Sequence, residues 1–293
     1  MTRLLQSVAL ALSAIVAGCA SHSHLPFDDT PARGLYTRPA VSSGFYDYTA
    51  PTPRPALAPS RRKAPPGYSG HWLRFPSSEL NGQRDNLVEA RYFQSAVEPT
   101  QPKPLLIVLP IWATHTFPST IISGGYARHS AGAAHILWLQ GDQPLFDWLH
   151  LAGLDNEAEF VAEAELSAQR FRAVAVDVRR LLDWAQTRPE IDSDRIAIIG
   201  FSMSALVAAN VAGNDARIHT AVYMVGGAYP WEMMAECGVV VAYMRERVKE
   251  SLDWSQQEFR DFFHRRLAMG DPGRWRGRYR PQNTLIIEAA EDD

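Results

Sequence analysis

Cysteine is almost absent from this chain. Only Cys19 and Cys237 occur in 293 residues, which excludes a small scaffold stapled by several disulfides. An excess of positive charge is lacking too. Lys and Arg number 29 against 32 Asp and Glu, a formal net charge of −3, which argues against nucleic acid as a partner because that needs a basic face. The one apolar run near the N-terminus covers residues 4–16 and is shorter than the ~20 residues of a membrane-spanning helix. Motifs for nucleotide phosphates, iron–sulfur clusters or zinc do not occur, so no cofactor is expected. What remains is 46% hydrophobic and 21% charged, the balance of a globular chain long enough for one large core plus extras.

The N-terminus reads as a targeting segment. Arg3 gives a basic n-region, residues 4–16 an h-region, and Val16-Ala17-Gly18-Cys19 follows. Small residues running into a cysteine resemble the bacterial lipobox. The resemblance implies a signal peptide at 1–18, removed by cleavage, and a lipid (palmitate among its acyl groups) on Cys19. With Ala20 rather than aspartate next, it also implies sorting to the outer membrane, facing the periplasm. Cys237 then has no partner and reads as a buried small hydrophobe. Nine of the 41 residues from 26 to 66 are proline, a density that favours extended, solvated chain. Residues 19–67 are therefore expected to be a tether, and His22 and His24 at its start to be incidental.

The folded domain is expected over 68–293. HWLRFPS (71–77) and NLVEARYFQ (86–94), separated by Asn81-Gly82, read as an antiparallel hairpin. LLIVLP (105–110) and HILWLQ (135–140) are continuous apolar runs of the kind buried on both faces. Gly124-Gly125 between them predicts a short or broken crossover helix. From Asp155 to Arg188 apolar residues recur every three or four positions, which predicts one long helix ended by Pro189. TAVYMVGG (220–227) and TLIIEAA (284–290) read as two further strands. The interval 229–280 is too long for a simple crossover and reads as a helical insertion. Strands alternating with helices after a hairpin imply an α/β fold with a mostly parallel, doubly wound sheet.

The most informative stretch is RIAIIGFSMSALVAANVAG (195–213). A buried strand passes through Gly200-Phe201-Ser202-Met203-Ser204 into a helix. Lifting a serine onto so tight a turn crowds the backbone, so the positions two before and two after it must be small. Gly200 and Ser204 meet that need. The stretch resembles the nucleophile elbow of the α/β-hydrolase superfamily, nearest its dienelactone-hydrolase and prolyl-oligopeptidase-like branches, over roughly residues 100–293.

The resemblance implies that Ser202 is the nucleophile and that the Met203 N–H is one oxyanion donor. The second donor would come from the loop after the strand at 105–110, where many relatives carry His-Gly. This chain has Pro110-Ile111-Trp112-Ala113-Thr114-His115; Trp112 takes the donor position, with Ile111 the alternative, and His115 reads as structural, with a substrate contact the alternative. The acid would follow the strand at 284–290, where Glu291, Asp292 and Asp293 stand, and either Asp292 or Asp293 fits. In that superfamily the histidine base follows the acid, and nothing follows Asp293. His219, before a strand, is expected at the far end of the sheet from Ser202, and His264 lies in the insertion. A last strand and helix would be lacking as well, leaving 284–290 a bare apolar edge. The sequence thus reads as a truncated lipoprotein hydrolase, a carboxylic ester hydrolase acting on a small ester or acyl substrate and impaired as it stands. Its alternatives are a non-catalytic binding lipoprotein on the same fold and an anchored peptidase. The arginine run at 274–280 reads as a solvated loop.

Overall fold

The computed structural model describes residues 44–288 apart from 56, 61–62, 98–99, 113–116 and 237–239. Residues 1–43 with Cys19, and also His115, Cys237, Glu291, Asp292 and Asp293, lie outside the described residues.

One eight-stranded sheet organises the molecule. β1 (Leu57–Pro59), β2 (Tyr68–Pro76) and β3 (Leu87–Ser95) are antiparallel neighbours. The expected hairpin is β2 with β3, in register from Tyr68↔Ser95 to Pro76↔Leu87. β3 lies antiparallel to β5 (His135–Gln140). From β5 the sheet continues in parallel through β4 (Lys103–Val108), β6 (Ile191–Phe201), β7 (Ile218–Met224) and β8 (Thr284–Ile287). The α/β architecture and mostly parallel sheet match the sequence reading.

Side-chain alternation along β4 divides the core in two. Leu105 and Ile107 enter the large cluster shared with α2 (Trp148–Ala152), α3 (Glu157–Gln186) and α4 (Met203–Asn214), while Leu106 and Val108 enter a smaller cluster with Ala127 of α1 (Ser119–Ser130). Helices therefore cover both faces, which is why β4 reads as an uninterrupted apolar run. α3 starts where the Asn156 side chain accepts the Glu159 N–H (3.1 Å), an N-cap, and ends just before Pro189. In α4, Ala205, Ala208 and Ala209 are buried and keep the helix close to the sheet.

Three expectations need correction. α1 is an unbroken helix of 12 residues with Gly124-Gly125 inside it. Each glycine costs about 1 kcal/mol against alanine, but burying Ser119, Ser123 and Ala127 against the sheet outweighs that local cost. The tether expected to reach residue 67 is packed onto the domain in its described part. Tyr46 is fully buried, its hydroxyl donating to the Met269 carbonyl (3.3 Å), and Arg172 and Arg179 of α3 donate to the Phe45 and Tyr46 carbonyls. Tyr48 donates to Asp183 (2.9 Å), and β1 extends the sheet edge. Finally, the strand expected at 284–290 spans only Thr284–Ile287.

The interval 229–280 is helical, with α5 (Pro230–Glu236), α6 (Val240–Leu252) and α7 (Gln256–Leu267) followed by 3-10 turns. α7 begins at a capping box in which Ser255 and Glu258 bond each other's backbone N–H. β8 borders no further strand among the described residues, and Leu285, Ile286 and Ile287 are 53%, 58% and 40% exposed.

Candidate functional site

Ser202 sits between β6 and α4 at φ 53°, ψ −122°, a conformation essentially reserved for glycine. The surrounding contacts hold it there. The Ser202 N–H donates to the Met224 carbonyl of β7 (2.8 Å), and the Ser202 carbonyl accepts from Ala205 N–H (2.9 Å). Gly200 is obligatory, because a Cβ there would run into the Ser204 carbonyl. Ser204 is fully buried, and its hydroxyl serves both sides of the turn. It accepts from the Phe201 N–H (2.8 Å) and donates to the Phe201 carbonyl (2.9 Å). A glycine here would be small enough but could not make that bridge.

Met203 is the first residue of α4, so its N–H belongs to the first-turn amides that have no partner within the helix. Such amides at the positive end of a helix dipole suit a developing negative charge.

Trp112 follows β4, the strand beside β6, so it stands at the same end of the sheet as Ser202. Its φ is 49°, and its indole is buried against Gly141, where a Cβ would lie 2.6 Å from the indole Cδ1. Past β7, Val225 adopts φ 50°, unusual for a β-branched residue, with its N–H donating to the Ile287 carbonyl (2.8 Å). A Cβ on neighbouring Gly226 would collide with Ala205 and lie 3.6 Å from the Ser202 carbonyl. Positive φ at Trp112, Ser202 and Val225 thus marks the ends of three adjacent parallel strands. Sequence reasoning missed Val225 and Gly226. The only signal was the glycine pair Gly226-Gly227 ending a strand pattern.

The histidines are less concentrated. His135 and His219 lie at the starts of β5 and β7, the sheet end remote from Ser202. Five strand residues, about 16 Å, separate His219 from Met224. His135 is buried, bonded to the Ser95 N–H (3.0 Å) and the Glu190 carbonyl (2.9 Å), and desolvation lowers its pKa. His219 meets Asn283 (3.4 Å). His264 of α7 packs its ring 4.5 Å from that of Trp231 and lines an open cleft of about 400 Å³ with Tyr229, Glu232, Arg260 and Asp261. Tyr229 is three residues past Gly226, a reach of at most about 11 Å. Among the described residues no histidine is hydrogen-bonded to Ser202, and no cluster of three or more His, Cys, Asp or Glu could hold a metal.

No protein-family model and no curated protein matches this sequence. Solved structures do match in shape. An acetyl xylan esterase from Paenibacillus sp. R4 is similar at 14% identity with a TM-score of 0.57, over 81% of this chain and 82% of that one. Acetyl xylan esterase 1 from Thermoanaerobacterium sp. JW/SL YS485 is similar at 13% identity with a TM-score of 0.58, over 82% of this chain and 83% of that one. At such identities the likeness concerns the fold, and with the strained serine between β6 and α4 it gives the chain the fold of the α/β-hydrolases.

Proposed function

We propose that this chain is an esterase-type serine hydrolase with Ser202 as its nucleophile. The observation that carries the reading is the strained conformation of Ser202, held by the neighbouring strand and by the Ser204 bridge. Strain of this size, of order 1–3 kcal/mol, persists where surrounding structure over-determines it, and it clusters at active sites. Ser202 Oγ attacks the ester carbonyl, and the N–H groups of Met203 and Trp112 hold the oxyanion until the alcohol leaves. Water then releases the acid from the acyl-serine. Asp292 or Asp293, beyond β8, orients the base in this scheme. The names of the two solved structures with this fold favour an ester over an amide substrate.

Proton removal from Ser202 needs a base, and no described histidine is bonded to it, so the 293-residue chain acylates slowly in this reading. The same observation favours a second reading, a binding protein that kept the fold without its chemistry. A fluorophosphonate probe separates the two. Slow adduct formation on Ser202, located by mass spectrometry and abolished in Ser202→Ala, is expected. A Ser202 that stays unmodified at millimolar probe overturns the hydrolase reading. Rapid labelling that is lost in His264→Ala identifies that residue as the base.

The sequence Val16-Ala17-Gly18-Cys19 after an apolar run supports a lipid anchor on Cys19 in a bacterial envelope. Among the described residues no helix is long and apolar enough to cross a membrane. Mass spectrometry of the mature N-terminus should find residues 1–18 gone and Cys19 acylated. An unmodified Cys19 would end this part of the proposal.

A further inference from the structure

Beside the elbow lies a small cavity of about 30 Å³ whose walls are apolar. Met203 and Leu206 of α4 form one side, Pro230 and Met233 of α5 another, and Phe146 and Trp148, stacked with ring centroids 5.2 Å apart, a third. Met203 belongs to both structures, since its N–H sits in the first turn of α4 next to Ser202 and its side chain walls the cavity. Almost nothing polar lines the space, so water finds too few partners there. An engineered cavity of about 150 Å³ holds benzene, roughly 25 Å³ for each carbon, so 30 Å³ has room for about one methyl group.

We infer that this cavity is the acyl pocket, that it takes the short apolar tail of the acyl group bound to Ser202, and that Met203 and Met233 set the length it admits. The inference rests on the esterase reading and adds to it the size and chemistry of the acyl half. The carbonyl carbon is held at Ser202 Oγ, and the first carbon beyond it enters the cavity. Each further methylene must displace a wall, at a cost in kcat/KM of about tenfold or more. The walls that can yield are the methionines, which are unbranched and adaptable. Met233 is only half-buried, so shortening it opens the space without removing a fully buried side chain.

The test compares acetyl, butyryl and hexanoyl p-nitrophenyl esters, with acylation of Ser202 followed by intact mass and phosphonylation by a compact methylphosphonate as reference. Wild type should acylate from acetyl at least tenfold faster than from butyryl. Met233→Ala should raise the butyryl-to-acetyl ratio about tenfold, and Met233→Phe should lower it. Esters with a fixed acetyl group and alcohols of increasing length should show no such shift. If the methylphosphonate fails to modify Ser202, the nucleophile assignment falls and the pocket with it. If Ser202 is modified but chain-length preference is flat, or moves with the alcohol instead, the acyl pocket alone is overturned. Should Met233→Ala lose its thermal transition, Met203→Leu, which keeps the volume but stiffens the wall, must still change the ratio.

Discussion

A hydroxyl in place of a hydrogen changes how the elbow is held. Gly200 does what the sequence pattern demands of it, clearing space for the Ser204 carbonyl, but Ser204 does more than stay small. Its Oγ is the partner of the part-buried Phe201 N–H and a donor to the Phe201 carbonyl. Ser204→Ala leaves that N–H without a partner, and a buried unsatisfied donor costs about 1–3 kcal/mol. Urea unfolding should show a loss in that range, and Ser202 labelling should slow because Phe201 directly precedes Ser202. An unchanged midpoint would mean that the bridge contributes nothing. At this scale the sequence revealed Ser202 and the need for small neighbours, because both follow from local crowding. It did not reveal positive φ at Trp112 and Val225. Their strain is imposed by neighbouring strands and by contacts such as the Trp112 indole against Gly141, which no local pattern encodes.

Elements show the same division between local and tertiary control. The strands β4 to β7 were legible as short apolar runs of the kind a sheet covered on both faces demands, and the helix α3 because its buried face repeats with a period of 3.6 over many residues. α1 was misjudged because its glycine pair argues locally against a helix while the sheet argues for one. The link between the β2–β3 connection and α3 was invisible, since its central group is one aspartate. Asp177 of α3 is buried and accepts hydrogen bonds from Ser77 (2.9 Å) and Asn81 (3.0 Å). Arg180 lies 3.7 Å away. Burial pushes its carboxyl up to about 6, against the pull of Asn81, Ser77 and Arg180, and Glu79 adds a smaller push upward. A carboxyl raised on folding stabilises fully below its unfolded value, near pH 4, and loses that contribution as pH rises through about 6. The stability of wild type relative to Asp177→Asn should therefore fall by about 1–3 kcal/mol between pH 4 and pH 7. A difference that is flat, or that grows with pH, would show that Asp177 does not titrate in this way.

At the scale of the whole molecule, the sheet has two unlike margins among the described residues. On one side β1, a strand of three residues ending in Pro59, closes the sheet, short and proline-bearing as protected edges are. On the other, β8 presents Leu285, Ile286 and Ile287 to solvent on both of its faces. An apolar edge of that kind pairs with other chains. Sedimentation velocity on the 293-residue protein should show an average size that rises with concentration, and Ile286→Lys should suppress the rise. Concentration-independent sedimentation of the wild type would contradict this account.

If Cys19 carries a lipid, as proposed, the docking of residues 44–48 onto α3 limits how far the domain can stand from the bilayer. A free tether through residue 67 would give the domain a leash of well over 100 Å at full extension. Because Tyr46 is buried and Tyr48 is bonded to Asp183, the chain is already fixed to the domain by residue 46, and the 25 residue steps from Cys19 to Gly44 span at most about 90 Å. For a protein lipidated on Cys19, the end of the sheet that bears Ser202 would stay in a thinner shell next to the bilayer than a tether through residue 67 would permit. Substrates would be met by their proximity to that surface as much as by their concentration.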